Sequence, residues 1–257
     1  MDEVIWMLGH VSRSLRRQTM LWRRDFTEWR RFWARYRRYE KLAPPDRRPS
    51  LSHLYPCLGD DMAETPVEPV YFYQDAWAFE KIVKQRPESH IDVGSHHKFV
   101  SLLSNVLPVI MVDVRPLSWP LSTVEFRQGS ILDLPFEDAT VPSLSSLCVA
   151  EHIGLGRYGG PLDPYGSEKA VDELKRVLAP SGRLYLSVPI GDRNIVAFDA
   201  GRVFALKYFL ELVHPLLVLE QRFIVGGTLQ DTYEHRPMFG TTGLFELMKA
   251  QTTDDTD

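Results

Sequence analysis

Apolar positions fall into two rhythms along the chain. Between residues 71 and 250, short β-branched runs alternate with stretches whose apolar residues recur every three or four positions. That is the pattern of strands alternating with helices. The first run lies in His90-Ile91-Asp92-Val93-Gly94-Ser95-His96-His97, where Ile91 and Val93 are followed by Gly94. Phe99, Val100, Leu102, Leu103 and Val106 then recur at helical spacing. This stretch predicts a strand, a tight glycine turn and a helix. Further strands are predicted over 109–114, 124–129, 144–150, 183–188, 216–225 and 244–248. Helices are predicted over 75–85, with Asp75 as cap, and over 167–178 and 203–213. Ala179-Pro180-Ser181-Gly182 breaks the pattern between a helix and a strand. Such alternation predicts an α/β fold, a largely parallel sheet with helices on both faces.

A different rhythm precedes it. Leu15, Trp22, Phe26, Trp29, Trp33 and Tyr36 form a helical stripe flanked by arginines. The first 41 residues hold eleven basic and five acidic side chains, a net +6, which leaves −10 for the rest of a chain of net −4. The stripe reads as a basic amphipathic helix packed on the domain or on a second copy, or as an interfacial helix on anionic lipid. Pro44, Pro45 and Pro49 stop it. The expected parts are a helical extension over 1–43, a Pro-rich linker over 44–70, an α/β domain over 71–250 and a polar tail over 251–257. Peripheral membrane contact or self-association is assigned to residues 10–41.

Composition narrows the rest. Net charge and the lack of a recognisable motif argue against nucleic acid as a partner. Cys57 and Cys148 sit in unrelated contexts, which points to a reducing compartment. No apolar run approaches a membrane span, and Asp2 and Glu3 stand where a signal peptide would be basic. The expected location is cytoplasmic, with the membrane surface as the alternative.

In an open parallel sheet, ligands bind beyond the carboxyl ends of the strands. The first strand end offers Asp92, Gly94 and Ser95. The second offers Asp113, 21 residues after Asp92, placed as a carboxylate that accepts from ribose hydroxyls. The third leads into Ser130 and Ile131. The fourth leads into Glu151 and His152, either of which suits a general base. Gly154, Gly156 and Gly159 spell G-x-G-x-x-G, but Gly160-Pro161 follow where a helix should start. That stretch is read as a flexible substrate loop. His96, His97 and His152 come from neighbouring strand ends, yet adjacent histidines do not easily share an ion, so no metal is expected. Asp192-Arg193-Asn194 reads as a surface loop or as acceptor lining.

Several of these stretches together resemble a class I S-adenosylmethionine-dependent methyltransferase. They are Asp-Val-Gly at 92–94, Val-Asp at 112–113, Leu-Pro-Phe at 134–136, and the run from Leu174 to Pro189. More narrowly, residues 151–166 and Tyr73-Gln74-Asp75-Ala76-Trp77 resemble an uncharacterised methyltransferase-like family, domain-of-unknown-function family 268. The resemblance covers residues 71–225. It implies a Rossmann-like seven-strand methyltransferase sheet and S-adenosylmethionine as cofactor. Gly94 would lie against its methionine part, Asp113 would hold the ribose, and Ser130-Ile131 would border adenine. It also implies a small-molecule or glycan acceptor, through members that occur with glycan biosynthesis proteins. His96 and Lys98 stand where the wider class has two further loop glycines, and Ser130 where many relatives have Asp. A member that keeps the sheet only as a binding or scaffold module is the alternative reading.

Overall fold

A computed structural model describes residues 26–251 of the chain, which divides into two compact units between Pro66 and Val67. In the first unit, α1 runs over residues 26–42. It ends before Pro44-Pro45, which cannot continue a helix. Leu15 and Trp22 of the predicted stripe lie outside the described residues. Phe26, Trp29 and Trp33 are exposed on α1. Neighbouring rings step edge to face along it, Trp29–Phe32 at 5.7 Å and Phe32–Trp33 at 5.4 Å.

The second unit is the α/β domain. Its helix α2, Pro69–Gln85, starts six residues earlier than the pattern suggests. The reason is local: Glu68 accepts a hydrogen bond from the Tyr71 N–H at 2.7 Å, and Pro69 gives up no donor in the first turn. Asp75 is therefore not a cap but lies inside the helix, where burial pushes its carboxyl up to about 6.

The sheet begins with β1, His90–Val93, buried along its whole length. It is followed by α3, His97–Leu103, β2, Val109–Asp113, and β3, Val124–Gln128. After β3 the chain returns to the other side of β1 as β4, Val141–Leu147, and then passes through α4, Gly166–Val177, into β5, Leu178–Gly191. A hairpin of β6, Ile195–Ala197, and β7, Gly201–Ala205, precedes α5, Leu206–Val213. The last strands are β8, Leu217–Val225, β9, Thr228–Gln230, and β10, Thr241–Met248. The order is β3-β2-β1-β4-β5-β10-β8-β9, with β1 to β5 parallel and β10 antiparallel to both neighbours. The expected seven-strand sheet is thus present, enlarged by β9 and by the hairpin, whose β7 pairs with the end of β5. Strand order reverses between β1 and β4, which opens a crevice at their carboxyl ends.

Three elements differ from the expectations. Strand β4 ends at Leu147 because Cys148 takes a positive φ of 53°, so residues 148–150 leave the sheet. The break at residues 179–182 is a bulge inside β5: Val141 faces Leu178, but Ser143 already faces Arg183. The segment expected as one helix over 203–213 begins as strand β7. Val203 and Phe204 are buried β-formers whose spacing also suits a helix, and pairing with β6 decides between them. Apolar cores cover both sheet faces. Phe209, Phe223 and Phe245 pack on one, and Trp77, Phe99 and Tyr185 on the other.

Candidate functional site

The turn after β1 is built from below. Gly94 has φ +70°, a conformation that favours glycine. Asp92 is fully buried beneath it. One carboxylate oxygen accepts from the Ser95 N–H at 3.1 Å and the other from the Ser145 hydroxyl at 2.6 Å. Ser145 also bonds His90 Nε2 at 2.8 Å. Because the Ser145 proton goes to Asp92, His90 must carry its proton on Nε2 and accept on Nδ1 from Ser143, 2.8 Å away. Burial drives His90 down to about 3 and Asp92 up to about 6, the latter restrained by its hydrogen bonds. Asp92 borders neither cavity described next, and its two oxygens hold the turn. Ser95 serves the turn as well, its hydroxyl accepting from the Leu147 N–H at 2.9 Å.

Two cavities of about 380 and 660 Å³ open over the crevice and share Gly94, Asp113, Arg115, Cys148, His152 and Tyr158. Ser130, Ile131 and the glycine loop border the smaller one. Ser95, His96, His97, Tyr71 and Trp119 border the larger. Asp113 ends β2, and its Oδ1 accepts from the Arg115 N–H at 2.9 Å. Its Oδ2 accepts no hydrogen bond from the described residues. The Ser130 hydroxyl accepts from the Leu132 N–H at 3.1 Å, while Asp133 closes this turn through its backbone and borders neither cavity.

Glu151 and His152 lie in a short 3-10 turn, Ala150–His152, beyond β4. Only His152 borders the cavities. Glu151 is buried behind it, with Oε1 3.8 Å from His152 Nε2 and, among the described residues, no hydrogen-bond partner for Oε2. Burial pushes the Glu151 carboxyl up to about 8 and the His152 imidazole down to about 4, Arg157 adding to the second effect. The two shifts agree. A Glu151 that keeps its proton offers no charge to stabilise an imidazolium.

The glycine loop faces the smaller cavity, beside Ser130. Gly154 has φ +82°, and a Cβ there would stand 2.0 Å from Asp163 O, so the crossing needs glycine. Arg202 of β7 holds this crossing. Its guanidinium bonds Ile153 O, Ser167 Oγ at 2.9 Å, Asp163 O at 3.1 Å and Pro164 O at 3.3 Å. Sequence reasoning missed Arg202, whose only signal was a charge beside buried apolar residues. It also missed Arg115 and Tyr158. Arg115 stands two residues past a strand-end acid, which was a readable position.

Asp192-Arg193-Asn194 and the three histidines are the remaining groupings read from the sequence. Asp192 pairs with His235 at 3.5 Å on the surface, and Asn194 accepts from the Ala205 N–H at 2.7 Å, so this loop caps the hairpin. His96, His97 and His152 border one cavity, but no group of three or more metal-ligating side chains forms among the described residues.

Comparisons with known proteins bear on this geometry. The sequence model of a family described as Caenorhabditis protein of unknown function, DUF268, matches residues 138–212. The narrow resemblance read from the sequence is therefore found over the stretch that holds Glu151, His152, the glycine loop and Arg202. No curated protein sequence matches the chain. Among solved structures, a 1,6-didemethyltoxoflavin-N1-methyltransferase of Burkholderia thailandensis, with bound 1,6-didemethyltoxoflavin and S-adenosylhomocysteine, is similar at TM-score 0.51 and 16% identity. That match covers 70% of this chain and 79% of the other. The N-methyltransferase NodS of Bradyrhizobium japonicum, also with S-adenosylhomocysteine, matches at TM-score 0.51 and 15% identity, over 74% of this chain and 92% of its own. A putative sarcosine dimethylglycine methyltransferase of Galdieria sulphuraria matches at TM-score 0.51 and 15% identity, over 70% and 86%. The domain thus has the fold of S-adenosylmethionine-dependent methyltransferases.

Proposed function

We propose that the protein is an S-adenosylmethionine-dependent methyltransferase. One observation carries the reading: the Gly94 turn, the free oxygen of Asp113 and the His152 ring border the same cavity, at the point where strand order reverses. The residues suit the cofactor. Asp113 keeps a lone carboxylate oxygen for ribose hydroxyls. Gly94 leaves backbone open to close approach, and Ile131 with the Ser130 turn gives an apolar edge for a base. S-adenosylmethionine supplies, when bound, a methyl group on a sulfonium already activated for transfer.

The chain's own work is to align an acceptor and take its proton. His152 is unprotonated at neutral pH and borders both cavities. A hydroxyl oxygen grows far more acidic as it gains a carbon, so a weak base is enough late in the reaction. The acceptor we favour is a hydroxyl of a sugar or glycan precursor.

Calorimetry with S-adenosylhomocysteine tests the reading. Binding in the micromolar range is expected, weakened at least tenfold by Asp113→Ala in a chain that still folds. Silence at millimolar ligand would instead favour a non-catalytic scaffold. That second reading draws on His96, which caps α3 by accepting from the Lys98 N–H at 3.4 Å at a position where the resemblance implies glycine.

For α1 we propose attachment to an anionic membrane surface, with self-association as the competing role. Among the described residues no helix is long and apolar enough to cross a membrane. Sedimentation with anionic and neutral vesicles should show salt-sensitive, anion-dependent binding of the full chain, lost on deleting residues 1–41. Equal binding to neutral vesicles, or none, would refute attachment.

A further inference from the structure

Arg115 borders both cavities and Arg157 the smaller one, and among the described residues no acid pairs with either. The Arg115 guanidinium lies 4.6 Å from the centre of the Tyr158 ring, and Arg157 lies 5.2 Å from the same ring. Arg157 gives one N–H to Ala200 O at 2.8 Å. Among the described residues neither guanidinium has a carboxylate within ion-pair distance. Among the described residues Asp113 is the only acid bordering either cavity, and it binds the Arg115 backbone rather than its head. This is a local inversion of charge, since the chain beyond residue 41 carries net −10. An unpaired guanidinium presents a planar fork of donors that matches a carboxylate or phosphate.

The larger cavity also has ring walls. Tyr71 and His96 are 4.9 Å apart between ring centres, and His96 stacks on His97 at 4.3 Å. Trp119 stands on the rim with 87% of its surface exposed. These rings have open faces that a flat or apolar body can cover.

We propose that the larger cavity is the acceptor site, where Arg115, beside the Tyr158 ring, holds an oxyanion of the acceptor. The acceptor's ring or apolar body lies against Tyr71, His96 and Trp119. The inference rests on the methyltransferase reading, because it gives the smaller cavity to the cofactor. It narrows the acceptor to anionic compounds and makes Arg115 the residue that selects them. Neutral compounds of the same shape would lose the charge-assisted contact to Arg115, which is itself exposed to water at the cavity mouth.

The test uses the full chain and simple probes. Phenyl phosphate, benzoate and uncharged benzyl alcohol are titrated by calorimetry, with and without saturating S-adenosylhomocysteine. At least one anion should bind in the millimolar range and benzyl alcohol at least tenfold more weakly. The two anions tell a phosphate site from a carboxylate site. Arg115→Gln should weaken anion binding at least tenfold, and Arg115→Lys, which keeps charge but loses the fork, by less. Thermal melting of each variant shows whether the fold is kept. Fluorescence of Trp119, isolated by comparison with Trp119→Phe, should respond to the anion. Anion binding that survives Arg115→Gln, equal binding of benzyl alcohol, or no anion binding overturns the proposal. Competition between anion and S-adenosylhomocysteine also overturns it, since the oxyanion site would then belong to the cofactor. Anion binding in a chain that never binds S-adenosylhomocysteine would sink the methyltransferase reading and the acceptor assignment while leaving the anion site standing.

Discussion

Replacing Arg202 by methionine is expected to destabilise the α/β domain by about 2–4 kcal/mol, the range for losing a buried charged group with several hydrogen bonds. Arg202 is 6% exposed and donates to three backbone carbonyls and the Ser167 hydroxyl. Among the described residues no carboxylate lies within ion-pair distance of it, so three carbonyls and the Ser167 hydroxyl meet its charge directly, with the Asp163 carboxylate acting from further away. Methionine matches the length of the stem but supplies no donor. Four acceptors then lose their partner where the chain crosses itself at Gly154 and Asp163. The glycine loop borders the smaller cavity, so its loosening should also weaken S-adenosylhomocysteine binding. Urea unfolding gives the stability change, and hydrogen exchange over residues 154–167 locates it. Arg202→Lys should fall between, because one ammonium cannot reach all four acceptors. A loss below about 0.5 kcal/mol for Arg202→Met, the size of an ordinary surface change, would show that the crossing stands without it.

The sheet was legible because its central strands are buried on both faces and read as unbroken apolar runs. Val109 to Val112 is such a run, and β1 needed only Ile91, Val93 and the glycine that ends them. Asp113 could be found because a strand-end acid at this spacing has a geometric reason. Hairpin β6–β7 could not, since Val203, Phe204 and the apolar residues after them fit helical spacing as well. Pairing with Ile195–Ala197 is a non-local fact that no window of sequence contains. Roles were harder to read than positions. Asp92 and Asp113 look alike as strand-end acids, yet one is spent on Ser95 and Ser145 and the other keeps an oxygen free. Glu151 and His152 are neighbours in sequence, and only the 3-10 turn decides that histidine faces the cavities while the acid is buried. Arg115 and Tyr158 lie 43 residues apart and meet only because β2 and β4 end at the same edge of the crevice.

The pair Glu151 and His152 should give the largest functional effects and a distinctive pH signature. His152→Ala is expected to slow methylation of a hydroxyl acceptor by about 10²–10⁴-fold, the usual contribution of a general base. The stability profile probes the same pair without any acceptor. Burial raises the Glu151 carboxyl from an ordinary value of 4.5 to about 8 in the folded chain. Between those values the folded state binds a proton that the unfolded state has released. Stability is therefore fully present below pH 4.5 and falls as pH rises, by up to about 1.4 kcal/mol per unit. Asp75 and Asp92, raised to about 6, contribute in the same direction but only up to that pH. His152, lowered from 6.5 to about 4, and His90, lowered to about 3, act oppositely, and their effect is complete by pH 6.5. Between about pH 6.5 and 8, Glu151 is left as the main source of a downward slope. Glu151→Gln has no proton to release, so urea titrations at steps across that window should give a nearly flat profile for the variant and a falling one for the native chain. The two should cross or converge toward low pH, where the native carboxyl is neutral as well. An equal slope in both proteins would mean that Glu151 is ionised at neutral pH. It would then stabilise an imidazolium, His152 would be charged when the acceptor arrives, and its role as proton acceptor would fail with it.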